Sequence, residues 1–178
     1  LRMLEPRKEL LADFEDVPMS LHTYSRGTSK DGVTAELVEV GSGCSPKDYK
    51  GKNVKGKIVL ASGSSHKAHV EAVVKRGAAG VITDTFEYEF PGVRESIDVP
   101  DARSYRGIWP TSDTVAKTRF GFSVSKRKGD ELRALLADGK RVVLHGKVDA
   151  ELFKGKYDIV TATIRGSSKP EEEVLLSA

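Results

Sequence analysis

The chain has 178 residues, of which 38% are hydrophobic and 31% are charged, and its formal net charge is +3. These values are typical of a folded globular chain and exclude a disordered one, and no apolar stretch approaches the roughly 20 residues that span a bilayer. Because Lys and Arg alternate with Asp and Glu, the charge gives no reason to expect nucleic-acid binding. Cys44 is the single cysteine, which excludes an internal disulfide and a cysteine-rich zinc site.

Residues 1–16 are predicted to form one short helix, with Pro6 in its first turn. Three residues make its narrow apolar stripe: Leu10, Leu11 and Phe14. Residues 34–40 alternate in polarity, which predicts a strand. A Gly/Ser-rich loop with Cys44 follows, but a catalytic thiol needs a base and an oxyanion site, and the sequence locates neither.

The central prediction is a strand, a helix and a strand within residues 55–84. The apolar runs at 58–61 and 81–83 are short and flanked by glycine or polar residues, which favours strands buried on both faces. A helix over residues 66–76 lies between them. Strand, helix and strand within about thirty residues indicate a right-handed βαβ unit with parallel strands.

Both ends of this helix carry recognisable signals. Ser64 or Ser65 can cap its N-terminus, because a hydroxyl oxygen accepts from a free amide of the first turn. Gly77 supplies the left-handed residue that ends it. His66 and His69 lie three residues apart at its head, a spacing that could bring two metal ligands together, although no third ligand stands nearby; the alternative is a half-buried or surface pair.

Residues 85–119 show neither helical nor strand periodicity, and they carry many aromatic side chains. We therefore expect an ordered excursion that covers a surface or contacts a ligand. The candidate substrate-access or recognition surface in it consists of Tyr105, Ile108 and Trp109. The alternative is that the Trp109 ring only closes the loop onto the core.

Two helices in all are expected to pack on the β core, and the second covers residues 130–138. It is predicted to open at Gly129, with acidic residues in its first turn and Gly139 at its end. The strands of this half are predicted at 120–125, at 141–148, at 157–164 and from Val174 onward. An exposed terminal strand could also pair two copies into a homodimer through Val174, Leu175 and Leu176.

Two stretches carry a family resemblance. Residues 54–60 (VKGKIVL), followed by an Ala-containing helix and residues 77–82 (GAAGVI), resemble the protease-associated (PA) domain. Residues 159–166 (IVTATIRG), a polar turn and residues 173–178 (EVLLSA) resemble the first hairpin of the two-zinc aminopeptidases. In that family the hairpin leads into a His-x-Asp motif that supplies the first metal ligands, and this sequence stops before it.

The resemblance implies an α/β (α+β) fold, a swivelling β/β/α domain with a mixed β core. It also implies a division into three parts. Residues 1–30 would be a helix and linker on the peptidase side, residues 31–156 the PA-like domain, and residues 157–178 the start of the peptidase sheet. Because the chain begins with Leu1 rather than Met, we expect it to be a piece of a longer protein.

The function implied is that of a non-catalytic accessory or lid domain of a zinc-dependent aminopeptidase, which shapes substrate access or mediates protein interaction. The expected partners are its own peptidase domain and the peptide substrate, with neither nucleic acid nor a membrane. We expect no catalytic residue, metal ligand or cofactor in this chain, and zinc in the full-length protein. The sequence indicates no compartment.

Two alternatives from other classes stay open. Residues 65–68 (SHKA) resemble the phosphorylated-histidine site of swivelling carrier domains in phosphoenolpyruvate-using enzymes, with His66 as the carrier residue. A helix N-terminus would suit a phosphoryl group. The other alternative is a free-standing protein-interaction module.

Overall fold

A computed structural model of the chain describes residues 1–86, 93, 98–156, 158–169 and 171–175. The elements of these residues, in chain order, are β1 (Arg2–Glu5), β2 (Glu9–Leu10), β3 (Val33–Glu39), β4 (Ile58–Ala61), α1 (Ser65–His69), β5 (Gly80–Thr83), β6 (Phe120–Ser123), α2 (Lys126–Ala137) and β7 (Val143–Gly146). Helix α1 continues as a π-helical turn over Val70–Val74. Short 3₁₀ turns cover Pro18–Ser20, Pro46–Tyr49 and Val115–Lys117.

The seven strands of the described residues form one mixed sheet in the order β2-β1-β7-β3-β4-β5-β6. Strands β3 to β6 pair in parallel, whereas β1, β2 and β7 pair antiparallel with their neighbours. The predicted α+β class with a mixed β core and two packed helices is therefore confirmed. Where the structure describes the chain, none of its helices is long and apolar enough to cross a membrane.

The predicted βαβ unit is present. Strand β4 pairs in parallel with β5, Ile58 lies opposite Gly80, and both strands are buried throughout. The Ser64 side chain caps α1 by accepting from the amide of Lys67, and Gly77 has the expected left-handed φ of 72°. The sequence signals for both strands and both helix ends are confirmed.

The core consists of one apolar layer on each face of the sheet. Because side chains alternate along a strand, Ile58 and Leu60 face the layer that contains Leu132 of α2. Val59 and Ala61 face the opposite layer. This layer also contains Ala68 of α1 and Ala72 of the π-helical turn. Each helix thus covers one face of the parallel half of the sheet.

The predicted helix over residues 1–16 is wrong, because the segment contains β1 and β2. Met3 is only 1% exposed and lies opposite Leu144 of β7. Pairing with β7 gives this segment a hydrogen-bonded ladder and a buried side chain, whereas a helix this short is marginal alone. Of the predicted stripe, Leu11 is buried, whereas Leu10 and Phe14 remain 45% and 50% exposed.

Helix α2 begins four residues earlier than predicted. Ser125 caps it by accepting from the amide of Lys128 at 3.3 Å, so its first turn is Lys126 onward and contains no acidic residue. Gly129 lies inside the helix, and the Asp84 side chain occupies the space that the Cβ of a larger residue would need. The predicted end of α2 at Gly139, which has a φ of 72°, is confirmed.

The strand predicted at 157–164 is wrong for residues 158–164, which form no strand and are exposed. Val174 and Leu175 are also exposed and outside any strand, while Tyr157 and residues 176–178 lie outside the described part. A strand needs a partner for its backbone groups, and none of the described strands pairs with this segment. The domain boundaries at residues 30 and 156 and the homodimer remain predictions.

Candidate recognition site

A cleft of about 750 Å³ lies beside the carboxyl ends of β4 and β5. Parallel strands end at one edge of a sheet, so the residues that follow β4 and β5 meet there. The 105–109 segment closes the cleft from the other side. Its described lining consists of Ser64, Ser65, His66, Thr85, Phe86, Tyr105, Arg106, Gly107 and Trp109.

The structure brings two of the three predicted recognition residues to this cleft. Tyr105 is 48% exposed and Trp109 is 51% exposed, and both side chains line it. Ile108 is 1% exposed, so its side chain is buried and only its backbone contributes to the site. Residues 87–92 and 94–97 of the same predicted excursion lie outside the described part of the chain.

Trp109 has an unusual backbone conformation, with a φ of 53°. Tyr24 has a φ of 64°, and the two rings pack together with centroids 5.1 Å apart and planes tilted by 53°. A non-glycine residue in the left-handed region costs about 1–2 kcal/mol, so the surroundings must hold it there. Two such residues in contact indicate a segment whose shape is fixed by the fold.

Hydrogen bonds from two elements hold this segment. The amide of Thr23 donates to the Arg106 carbonyl at 2.8 Å, and the amide of Ile108 donates to the Thr23 carbonyl at 3.0 Å. From the head of α1, the Ser65 hydroxyl donates to the Gly107 carbonyl at 2.9 Å, and Nδ1 of His66 bonds the Ile108 carbonyl. The head of α1 and Thr23 therefore position the backbone that leads into Trp109.

Gly107 lets the indole ring fold back over its own backbone. A Cβ at this position would lie 2.5 Å from Nε1 of Trp109, well inside van der Waals contact. Any larger residue must therefore move the ring. Glycine is required here by the close approach of the indole rather than by φ.

The floor of the cleft is tied to the strand ends. Arg106 is 6% exposed, and its Nη2 donates to the Thr85 carbonyl at 2.5 Å. The Thr85 hydroxyl donates to the Gly63 carbonyl at 2.9 Å, which links the segments that follow β5 and β4. These contacts fix the cleft independently of any ligand.

The histidine pair at the head of α1 does not converge on a common point. Nε2 of His69 accepts from the Arg119 amide at 3.2 Å, and burial lowers the pKa of His69 to about 4. His66 bonds the Ile108 carbonyl instead. Among the described residues, no group of three or more His, Cys, Asp or Glu side chains could hold a metal ion. The phosphohistidine carrier remains an alternative prediction for His66.

A second hollow of about 450 Å³ adjoins the cleft, and Tyr105 lines both. Its wall is mainly apolar and includes Phe14, Met19, Tyr24 and Leu152. His22 also lines it, with Nε2 3.1 Å from the Thr83 hydroxyl, and burial lowers its pKa to about 3. No sequence signal pointed to Tyr24, whereas the position of Ser65 and His66 just beyond the end of a parallel strand could have placed them here.

The sequence of residues 33–93 matches the family model of the PA domain. This match covers β3, the βαβ unit and the first part of the long excursion. It confirms the predicted resemblance for that segment. No curated protein matches the sequence significantly.

Solved structures extend the likeness over most of the chain. An aminopeptidase from Aneurinibacillus sp. is 25% identical over 80% of this chain, with a TM-score of 0.56. A zinc aminopeptidase from Bacillus subtilis is 20% identical over 78%, with a TM-score of 0.51, and a peptidase M28 precursor from Shewanella amazonensis is 15% identical over 80%, with a TM-score of 0.53. The last two show a shared fold.

The chain spans less than a third of these relatives, namely 28%, 27% and 32% of their lengths. The fold described above is thus that of the PA-like part of aminopeptidase structures, as predicted. The Bacillus subtilis protein is a zinc enzyme, but the described residues here supply no set of zinc ligands.

Proposed function

We propose that this chain is the accessory domain of a zinc-dependent aminopeptidase and that the face carrying Tyr105 and Trp109 borders the path of the peptide substrate. The match of residues 33–93 to the PA domain and the fold shared with aminopeptidases support the accessory role. Catalysis would belong to the rest of the longer protein, because the described residues supply no metal site.

The single observation that carries the substrate-access role is the fixed, half-exposed position of Trp109. Its side chain is held by a left-handed backbone, by Tyr24 and by the hydrogen bonds from α1, yet 51% of it faces solvent. A ring that served only to close the loop would be buried. Large exposed aromatic residues in a defined geometry are typical of binding surfaces.

This chain carries an exposed apolar surface that the proposed partner, the protein's own peptidase domain, could contact. Five large apolar side chains of the first nineteen residues are 38% to 52% exposed: Leu4, Leu10, Phe14, Val17 and Met19. Contact with a second domain would remove this apolar surface from water, which is favourable in proportion to its area. We therefore propose that Leu4 and Leu10, which line neither the cleft nor the hollow that shares Tyr105 with it, contribute to the domain contact.

The test compares the 178-residue chain with the full-length gene product, both with added zinc, on aminoacyl-nitroanilides. Activity in the full-length protein alone is expected. Activity in the 178-residue chain would contradict the accessory role, and activity in neither would favour the interaction-module alternative.

The access role is tested by Trp109→Ala in the full-length protein. We expect kcat/KM for tetrapeptides and longer peptides to change by about tenfold, a transition-state difference of about 1.4 kcal/mol, while small nitroanilides are hydrolysed as before. Phe153→Ala is the matched control, because Phe153 is an aromatic residue that is 82% exposed and lines neither hollow. Equal kinetics for Trp109→Ala and wild type on both substrates would contradict the access role.

A further inference from the structure

We propose that the cleft beside Trp109 is a preformed subsite for one large, neutral apolar side chain of an extended peptide. The inference deepens the proposed function and rests on it for the origin of the peptide. It assigns to the cleft a ligand class and a side-chain preference of its own.

Aromatic walls define the preference for an apolar side chain. Phe86, Tyr105 and Trp109 all line the cleft, and its volume of about 750 Å³ exceeds what one side chain fills. Flat aromatic surfaces bind another ring or a branched aliphatic chain through area and edge-to-face contact. Clefts of this volume with aromatic walls and a few polar groups are the usual form of ligand sites.

The described lining of the cleft offers no carboxylate to a basic side chain. The described lining contains no Asp or Glu, while the guanidinium of Arg106 lies in its floor. A lysine or arginine entering the cleft would lose hydration, and the described lining gives its charge no acidic partner. Arg106 is itself buried and bonded to the Thr85 carbonyl, which gives it a structural role in the floor.

The neighbouring hollow indicates an extended ligand rather than a compact one. Tyr105 lines both the cleft and the second, mainly apolar hollow, so the two are neighbours. A peptide that crosses Tyr105 can place one side chain in the cleft and a neighbouring residue against the second hollow. The hydroxyls of Ser64 and Thr85 also line the cleft, and each keeps hydrogen-bonding capacity beyond its bond within the chain that could serve a peptide backbone.

The site needs little rearrangement to bind. Ser65 and His66 hold the carbonyls of Gly107 and Ile108, and the Trp109 ring packs on Tyr24. A side chain that is already fixed loses little conformational entropy on binding. These contacts make Ser65, His66 and Gly107 positioning residues for Trp109.

Trp109 is the only tryptophan in the chain, so its fluorescence reports this site directly in the 178-residue protein. The probes are blocked peptides, which carry no terminal charge: acetyl-Ala-Phe-Ala-amide, acetyl-Ala-Ala-Ala-amide and acetyl-Ala-Lys-Ala-amide. We expect the Phe peptide to change the emission and to bind at least about tenfold more tightly than the Ala and Lys peptides. Equal binding of the three, tighter binding of the Lys peptide, or no change with any of them would overturn the proposal.

Variants link the response to the cleft. Gly107→Ala should displace the indole, shift its emission and abolish the preference for the Phe peptide. Gly155→Ala is the matched control, because a Cβ there meets only Phe153 at 3.6 Å. Since Gly107→Ala could disturb folding, Tyr105→Ala provides a second test: it removes a half-exposed ring, keeps the Trp109 signal and should weaken Phe-peptide binding about tenfold.

Unchanged Phe-peptide binding in Tyr105→Ala would place the peptide elsewhere. The two proposals also fail separately. Selective binding by the 178-residue chain together with unaltered kinetics of full-length Trp109→Ala would keep the subsite and reject the access role. The reverse result would keep the access role and reject the subsite.

Discussion

Two stretches of similar composition differ in structure: one is a buried strand and the other is exposed and forms no strand. Strand β4, Ile58–Ala61, is fully buried with 0% exposure at every residue. Residues 159–164 are also rich in β-branched residues, but Ile159, Val160 and Ile164 are 85% to 97% exposed and lie in no strand. The difference shows that β-branched, apolar residues make a strand possible, and that neighbouring strands decide whether it forms.

The neighbours of β4 are close in the chain. Strands β3 and β5 flank it on both sides, and helix α1 connects it to β5. The described part of the chain offers residues 159–164 no such partner. The contrast between these two segments can be tested by substituting the same residue type in both.

The largest expected effect comes from Ile58→Ala. We expect a loss of about 3 kcal/mol in the free energy of unfolding, because the change removes three buried carbon atoms and leaves a cavity beneath α2. Ile159→Ala should change the free energy by less than about 0.5 kcal/mol. Urea unfolding of both variants measures the difference, and similar losses would mean that residues 159–164 are packed in solution.

Acid should lower the free energy of unfolding through two buried histidines. Burial lowers the pKa of His22 to about 3 and that of His69 to about 4, so both are neutral in the folded protein and take up protons more readily when unfolded. Stability from each is therefore complete above the unfolded pKa of about 6.5 and is lost as pH falls toward the folded value. Between pH 7 and pH 5 we expect a loss of about 2 kcal/mol for each histidine.

Urea unfolding across this pH range checks the expectation. His69→Gln should remove about half of the pH dependence, because one of the two titrating groups is gone while the Gln carbonyl can still accept from the Arg119 amide. The segment after residue 150 contains no histidine and contributes nothing to this effect. An unchanged slope in the variant would contradict the assignment to His69.

The smallest effect on stability is expected at the exposed terminal segment. Leu175→Asp should leave the unfolding free energy within about 0.5 kcal/mol of wild type, because Leu175 is 84% exposed. If the predicted homodimer pairs this segment, sedimentation at high concentration shows a dimer for the wild type and a monomer for the variant. A wild-type monomer at every concentration would count against the dimer.

The sequence predicted those parts of the fold whose contacts lie within one short stretch of the chain. The βαβ unit follows from residues within one stretch, including the caps Ser64 and Gly77. The N-terminal segment could not be predicted in the same way, because Met3 becomes a strand residue only through pairing with Leu144. The start of α2 was misplaced because Gly129 suggests a helix boundary, and its close contact with Asp84 is visible only in three dimensions.

The candidate site also combines features that could be predicted from the sequence with features that depend on tertiary packing. The aromatic content of the 85–119 excursion was enough to select Tyr105 and Trp109, both of which line the cleft. Alternation cannot predict side-chain direction in an irregular segment, and so Ile108 was selected although it is buried. The left-handed backbone of Tyr24 and its ring contact with Trp109 depend on packing between distant parts of the chain.

The pairing of β1 with β7 has a consequence for synthesis on the ribosome. Arg2 lies opposite both Leu10 of β2 and His145 of β7, so β1 can pair only with the two-residue strand β2 until nearly the whole described sheet has been made. At translation rates of about 5–20 residues per second this delay lasts on the order of ten seconds, whereas the βαβ unit can close almost as soon as it emerges. Until β7 has been made, the side chains of Leu1, Met3 and Leu11, which are buried in the folded chain, stay accessible to chaperones.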